Sequence, residues 1–222
     1  MTVPDFAARP QLSEDVARFV RRRIFDGTYA AGEYVRLDQL AAELGISVTP
    51  VREALFELRA EGLLAQQPRR GFVVLPVTVR DIADVSDVQA YIGGELAARA
   101  AASITADQMR DLKVIQDELE GAYARNDHDR AVLLNHDFHR AINLAADSPK
   151  LAQMMSQITR YAPEAVFPTI AGWSAKSMKD HRRILAALKQ QDEKRARAAM
   201  SEHLAAGAAP LIEYLKQCGV VR

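Results

Sequence analysis

The chain has 222 residues, and its 29 Lys and Arg side chains balance 29 Asp and Glu side chains, so net charge alone does not indicate nucleic-acid binding. An apolar fraction of 49% is typical of a globular protein, and the single Cys218 excludes an intrachain disulfide and any Cys-rich zinc module. The first ten residues contain an acid and two prolines, and no apolar run is long enough to cross a membrane, so we expect a cytoplasmic protein without membrane contact.

Three short helices and one β-hairpin are predicted in the first third of the chain. Apolar residues at helical spacing predict a helix over 12–25, and glycines end two further predicted helices, 37–44 and 48–61. Two short apolar runs flank Pro68-Arg69-Arg70-Gly71, a sequence typical of a hairpin turn. This order is that of a winged helix-turn-helix, which we place at residues 1–76.

The remaining residues, 77–222, are predicted to form an antiparallel all-α bundle, so the fold class is mostly α. Thr105 and Asp127 are suitable N-caps for two of its helices. We expect Gly93-Gly94 to interrupt the first helix, and Pro163 and Pro168 to break the fourth. The predicted helices cover residues 80–102, 106–125, 128–146, 150–171, 174–190 and 192–217.

The predicted third helix carries residues that suit DNA recognition. Either Ser47 or Thr49 can cap this helix, and Arg52 lies opposite its apolar stripe. Arg69 and Arg70 at the hairpin tip are placed to contact phosphate or the minor groove, and Arg36 before the second helix can contact the DNA backbone. A small helical domain with ordinary surface arginines explains the same pattern, so these residues alone leave DNA binding open.

The stretch LAAELGISVTPVREAL over 40–55, followed by Glu61-Gly62-Leu63 and Arg70-Gly71-Phe72-Val73, closely resembles the winged helix of GntR-family bacterial transcription regulators. The resemblance covers about residues 12–75. It implies that four residues contact DNA or form the turn of the wing: Arg36, Thr49, Arg52 and Gly71. Val48 stands where members often have arginine, so contact with a thymine methyl group would replace a guanine contact. Phe56 stands where members usually have a polar residue, on the face it shares with Arg52.

Three histidines and an asparagine lie at spacings that suit a metal site. Asn135 and His139 are four residues apart and share one helix face, while His181 and His203 belong to the last two predicted helices. If these side chains meet inside the bundle, three imidazoles and an amide oxygen suit Zn²⁺, Ni²⁺ or a similar divalent ion. A core-facing histidine is more often a structural hydrogen-bonding residue than a ligand, and three histidines on three helices need not meet, so the residues alone leave both interpretations open.

Residues 78–217 resemble the C-terminal effector domain of the FadR-type branch of GntR regulators, an FCD-like domain. The resemblance rests on Phe138-His139-x-x-Ile142 and on His181-x-x-Ile-Leu-x-Ala-Leu. It implies a divalent metal site whose ligands are Asn135, His139, His181 and His203. Members often have Arg at Gln89 and Glu at Gly93; Gln89 and Arg140 are our candidate effector-binding residues.

From these patterns we expect a transcription regulator, not an enzyme. It would bind a palindromic operator DNA as a homodimer and sense a small-molecule effector, a carboxylate, beside the divalent metal. Repression that the effector relieves is the usual behaviour of the family. A metal-dependent enzyme and a metal sensor are the alternatives, and the lack of a nearby general base at motif spacing counts against the enzyme.

Overall fold

The computed structural model describes residues 10–161 and 164–221. These residues form two compact units. The first unit comprises the residues up to Thr78 together with the segment from Leu215, and the second unit comprises Val79–Tyr214. Each unit has a hydrophobic core of its own.

The first unit contains the three helices and the hairpin that the sequence predicts. Its core forms where the first and third helices pack together with the strands, and it buries Val20, Leu55 and Phe72 completely or almost so. A bidentate ion pair between Arg21 and Glu61, with a shortest distance of 2.7 Å, joins the first helix to the end of the third. The elements are α1 (Pro10–Phe25), β1 (Tyr34–Val35), α2 (Leu37–Leu44), α3 (Val48–Ala60), β2 (Leu64–Gln67) and β3 (Gly71–Val74).

The hairpin is part of a three-stranded antiparallel sheet with the order β1-β3-β2. The two-residue strand β1 is too short to produce a periodic signal, and the sequence did not predict it. Its pairing with β3 explains why position 71 is glycine. Gly71 has a φ of +96°, and a Cβ atom there would lie 2.8 Å from the carbonyl oxygen of Val35. Any other residue would therefore be strained and would also push β1 away.

The second unit is a helical bundle, as predicted. Its core joins six helices, α4 to α9, through side chains such as Leu96, Phe138, Ile184 and Met200. The elements are α4 (Val79–Ser103), α5 (Ala106–Ala124), α6 (His128–Ala145), α7 (Pro149–Ile158), two short 3₁₀ segments (Thr159–Tyr161 and Glu164–Thr169), α8 (Trp173–Lys189), α9 (Glu193–Ala205) and α10 (Ala208–Gln217), whose last residues, from Leu215, are assigned to the first unit.

The predicted caps of α5 and α6 are confirmed. Thr105 and Gln108 form a reciprocal capping box at the start of α5, and each side chain hydrogen-bonds the backbone N–H of the other residue. The Asp127 carboxylate accepts a hydrogen bond from the backbone N–H of Arg130 at the start of α6. Both caps satisfy backbone donors that have no partner inside their helix.

Two of the predicted helix boundaries are wrong. Gly93 and Gly94 do not interrupt α4, which continues through both, because they mark its close approach to α9. A Cβ atom on Gly93 would collide with Leu204, and one on Gly94 would collide with Ser201. The predicted helix over 192–217 is divided between α9 and α10. Pro168 lies inside a 3₁₀ segment, whereas Pro163 falls outside the described residues.

Candidate functional site

The first candidate site is the outward surface of α3 and the wing. Arg36 precedes α2, Arg52 is exposed on α3, and Arg69 is exposed at the hairpin tip with a φ of +64°. Within residues 10–161 and 164–221, these three guanidinium groups form no side-chain hydrogen bond or ion pair. Three unpaired cations on one small unit provide donors for phosphate groups or base edges, although the total charge of the chain is zero.

The start of α3 places the other predicted contact residues. Ser47 occupies the N-cap position in an extended conformation, although its side chain forms no capping hydrogen bond. Ser47 and Thr49 are exposed, whereas Val48 is half-buried. In the hairpin turn, the exposed Arg70 lies over the ring of Tyr34, and its guanidinium carbon is 6.0 Å from the ring centroid.

The structure explains Phe56, for which the sequence provided no account. This half-buried ring packs edge-to-face on Phe72 of β3, with 5.5 Å between the ring centroids. The guanidinium of Arg59 lies 4.7 Å from the Phe56 centroid and donates a hydrogen bond to Gln66 of β2. Phe56 therefore anchors the wing to α3, which holds Arg52 and the hairpin tip in a fixed relation.

The second candidate site is a cluster of three histidines inside the second unit. One ring nitrogen from each of His139, His181 and His203 lies within 4.8 Å of the other two. The Nε2 atoms of His139 and His203 are 3.3 Å apart. Phe138 stacks on His181 with 4.0 Å between ring centroids and 5° between ring planes. The predicted convergence of these three side chains is thus present in the fold.

A buried glutamine orients His181. The Gln116 Oε1 atom lies 2.9 Å from His181 Nδ1, and Gln116 Nε2 lies 3.0 Å from a Glu120 carboxylate oxygen. A carboxylate only accepts hydrogen bonds, so the amide nitrogen of Gln116 must face Glu120 and its oxygen must face His181. His181 therefore donates its Nδ1 proton to Gln116, and its Nε2 atom is left as an acceptor, with the Ser177 hydroxyl 3.5 Å away.

His203 has an acidic neighbour but no direct hydrogen bond to it. Its Nδ1 atom is buried, has no hydrogen-bond partner among the described residues, and lies 3.5 Å from Asp180 Oδ2. Lys176 donates a 2.6 Å hydrogen bond to that same oxygen. Burial opposes ionisation of Asp180, but the hydrogen bond and charge of Lys176 outweigh it and lower the pKa of the carboxyl group. A negative charge therefore stands behind His203.

The three imidazoles are held in the neutral form. Burial lowers the pKa of His139 and His181 well below the ordinary value of 6.5, and the neighbouring imidazoles lower it further because a second positive charge would be repelled. Burial also lowers the pKa of His203 to about 4, although Asp180 opposes the change. Neutral imidazole nitrogens have free lone pairs, which is the state that a metal ion requires.

A cavity of about 360 Å³ opens beside the cluster. His139 and His203 form part of its wall, together with three other residues that the sequence singled out: Gln89, Asn135 and Arg140. Gln89 is buried and donates a 3.1 Å hydrogen bond to the carbonyl oxygen of Ile158, whereas Arg140 is exposed. Two histidines of the cluster and the residues named for an effector therefore border the same space, and Asn135 lies on α6 one turn before His139.

Comparison with known proteins identifies the family. Residues 12–74 match the bacterial regulatory proteins of the gntR family, and residues 84–206 match the FCD domain. The chain belongs to the GntR family. The relatives of this regulator include the HTH-type transcriptional regulator McbR of Escherichia coli K12, which is 25% identical over 198 residues, or 86% of this chain and 88% of McbR.

Other relatives and solved structures agree with that assignment. The HTH-type transcriptional repressor RspR of Escherichia coli K12 is 25% identical over 195 residues, or 87% of this chain and 86% of RspR. The structure of E. coli McbR/YncC superimposes with a TM-score of 0.74 at 24% identity, and covers 91% of this chain and 98% of that one, which supports the fold. Because its relatives are transcription regulators, this member of the GntR family is a transcription regulator and not an enzyme. None of its described helices could span a membrane.

Sequence reasoning missed several residues around the histidine cluster. Gln116 shares the apolar face of α5 with Leu112 and Leu119, and a polar residue at core-facing helical spacing is a signal that could have singled it out. Asp180 directly precedes His181, but adjacency in a helix does not predict its approach to His203.

Proposed function

We propose that this GntR regulator binds a palindromic operator as a homodimer and releases it when a small carboxylate binds beside a divalent cation in the second unit. The observation that carries the proposal is the cluster of three neutral imidazoles, His139, His181 and His203, two of which, His139 and His203, line a cavity that would hold a small molecule. That RspR, a relative of similar length, is a repressor supports repression as the mode of action.

The winged helix provides the DNA contacts of the proposal. The first turn of α3 would enter the major groove, where Arg52 can donate two hydrogen bonds to a guanine and Val48 can pack on a thymine methyl group. Arg36, Arg69 and Arg70 would contact phosphates or the minor groove, and Ser47 and Thr49 would contribute hydroxyl groups near the start of the helix. Gly71 allows the tight turn that presents the hairpin tip.

The residues of the cluster fit a divalent cation. The facing Nε2 atoms of His139 and His203 need either a shared proton or a shared cation. Because Gln116 accepts the hydrogen bond from His181 Nδ1, the Nε2 atom of His181 is an acceptor, and a cation would compete there with the Ser177 hydroxyl at 3.5 Å. We propose that these three histidines and Asn135 hold Zn²⁺, Ni²⁺ or a similar ion. When bound, such an ion supplies a Lewis-acidic centre for a carboxylate oxygen.

The cavity favours a small-molecule effector over a metal sensor. A sensor whose only ligand is the ion needs no space beside the ion, whereas His139 and His203 border an open volume of about 360 Å³. Arg140 adds a positive charge at the wall, and the Gln89 amide adds polar atoms. An ionised carboxylate bound to the divalent ion would therefore also lie near the positive charge of Arg140 and the amide of Gln89.

Metal content and operator binding test the two halves of the proposal separately. The purified full chain, incubated with zinc and dialysed, should hold about one zinc ion per chain, and His181→Ala or His203→Ala should lose it more readily than Asn135→Ala, since imidazole is the stronger ligand. A protein that holds no zinc or nickel would leave the histidines as hydrogen-bonded core residues and would remove the cation from the proposal.

Operator binding is measured by mobility shift with DNA from upstream of the regulator's gene and its neighbours. Arg52→Ala should weaken specific binding by about 1–3 kcal/mol, whereas Arg110→Ala, an exposed arginine of the second unit, should not. Val48→Arg should change the selected base at one symmetric pair of positions. If the wild type, Arg52→Ala and Val48→Arg all showed equal affinity and equal sequence preference, α3 would not be part of the DNA interface.

A further inference from the structure

Four aromatic rings form a continuous row along the effector cavity. Phe167 and Trp173 lie with 4.6 Å between their centroids, and Trp173 is 6.3 Å from His203, which in turn stacks on His139 at 5.2 Å. All four residues line the cavity. The row therefore begins at two apolar rings and ends at the imidazoles that we propose hold the cation.

The apolar end of the row is fixed in place and is extended by aliphatic side chains. A Cβ atom on Gly207 would lie 3.3 Å from the Phe167 ring, so the ring packs closely on the backbone there. Further apolar side chains line the same cavity: Leu144, Met155, Leu204 and Leu211. Most of the polar lining comes from α4 and α6, so a bound molecule would meet both a polar and an apolar surface.

The charged groups at the cavity are few. Among the described residues that line it, Arg140 is the single Lys or Arg, and none is an Asp or Glu. One carboxylate of a bound molecule would lie at the cation and Arg140, where all the positive charge of the lining is concentrated. A second carboxylate would have to face neutral amides or apolar side chains, and burial of an ionised group without a counter-charge is costly.

We propose that the effector is a monocarboxylate with a flat, apolar body, such as an aromatic acid, whose ring lies along Trp173 and Phe167. This inference rests on the proposed function, because the carboxylate is assigned to the cation and Arg140. Burial of the ring against the apolar wall favours binding, and ring contacts with Trp173 and Phe167 favour a flat body over a puckered one. Trp173 and Phe167 are then the residues that determine effector specificity.

Four probes separate the parts of this inference. The zinc-loaded full chain is titrated by calorimetry with benzoate, with succinate as a dicarboxylate, with cyclohexanecarboxylate as a puckered acid of the same charge, and with benzyl alcohol as a ring without charge. Benzoate should bind roughly tenfold more tightly than succinate and roughly threefold more tightly than cyclohexanecarboxylate, and benzyl alcohol should bind least. Because Trp173 is the single tryptophan of the chain, benzoate should also change the intrinsic fluorescence.

Matched variants assign the preference to the ring row. Phe167→Leu and Trp173→Leu should each weaken benzoate binding by roughly threefold to tenfold without changing zinc content or succinate affinity. Leu133→Ala, an exposed apolar residue of α6, is the control and should change neither. Circular dichroism confirms that each variant is folded, and the more conservative Trp173→Phe should retain the preference for benzoate.

The outcomes distinguish this inference from the proposed function. Tighter binding of succinate than of benzoate, or no benzoate binding to the zinc-loaded chain, would overturn the aromatic class and leave the cation site standing. Equal affinity for benzoate and cyclohexanecarboxylate would overturn the requirement for a flat body. Benzoate binding that His139→Ala leaves unchanged would instead overturn the placement of the carboxylate on the cation, which belongs to the proposed function.

Discussion

The buried imidazole of His203 makes the stability of the metal-free second unit depend on pH. The pKa of this group is about 4 in the folded chain because of burial, against an ordinary value of 6.5 in the unfolded chain. Between these values the unfolded chain binds a proton that the folded chain does not bind, so the free energy of unfolding falls as the pH is lowered below 6.5. The loss from His203 alone amounts to about 2 kcal/mol at pH 5 and approaches about 3 kcal/mol near pH 4.

For the other groups of the cluster, the direction of the pKa shift also determines how the free energy of unfolding changes with pH. Burial lowers the pKa of His139 and His181 as well, so both add to the loss of stability below pH 6.5. The pKa of Asp180 is lowered from 3.8, so its contribution is present above that pH and is lost only at lower pH. Measurements between pH 7.5 and pH 5 therefore report on the histidines and not on Asp180.

The assay is urea unfolding of the full chain in the presence of a chelator, followed by fluorescence of Trp173. As the single tryptophan, Trp173 reports on the second unit and not on the winged helix. His203→Asn should lose about 2 kcal/mol less than the wild type between pH 7.5 and pH 5, whereas His128→Asn, at an exposed position at the start of α6, should behave as the wild type. Wild-type stability that does not change over this range, or an equal change in His203→Asn, would refute the reasoning.

Three further predictions test other parts of the structure. Gln116→Leu, which removes the acceptor oxygen for His181, should weaken zinc affinity by roughly tenfold to a hundredfold in competition with a chelator. Gly71→Ala should destabilise the chain in thermal unfolding by at least about 1 kcal/mol more than Gly62→Ala, because Gly62 has a positive φ but open space around it. Gly93→Ala should be destabilising, and its combination with Leu204→Ala should recover part of the loss, which a double-mutant cycle detects as a coupling of about 0.5–3 kcal/mol.

The helices and the hairpin of the first unit could be predicted because their signals are local. Apolar spacing, a terminating glycine and a hairpin turn are each contained within a few neighbouring residues. The same applies to the caps at Thr105 and Asp127. Strand β1 could not be predicted, because two residues have no periodicity and the strand exists only through its pairing with β3.

The errors in the second unit arose where tertiary contact overrides local preference. Glycine lowers helix propensity, so Gly93-Gly94 predicts an interruption when the sequence is considered alone. In the fold, the absence of Cβ atoms is what allows α9 to lie against α4. The approach distance between two helices that are distant in sequence is not contained in the residues of either one.

The candidate metal site was predictable only in part, for a related reason. Helical spacing places Asn135 and His139 on one face, but the meeting of three helices had to be inferred from resemblance. The neighbours that determine the chemistry come from still other segments: Gln116 from α5, Phe167 from the second 3₁₀ segment, and Trp173 from the first residue of α8. Such residues become visible only when the packing is known.

The metal-free cluster has electrostatic costs that a cation would relieve. His203 Nδ1 is buried without a hydrogen bond, and the Nε2 atoms of His139 and His203 lie 3.3 Å apart with at most one proton between them. Any cation bound there also stabilises the fold, by about 2.7 kcal/mol at a concentration one hundred times its dissociation constant. An effector that binds through the cation adds to this stabilisation. By linkage, an effector that lowers operator affinity must bind less tightly, by the same factor, when the operator is bound.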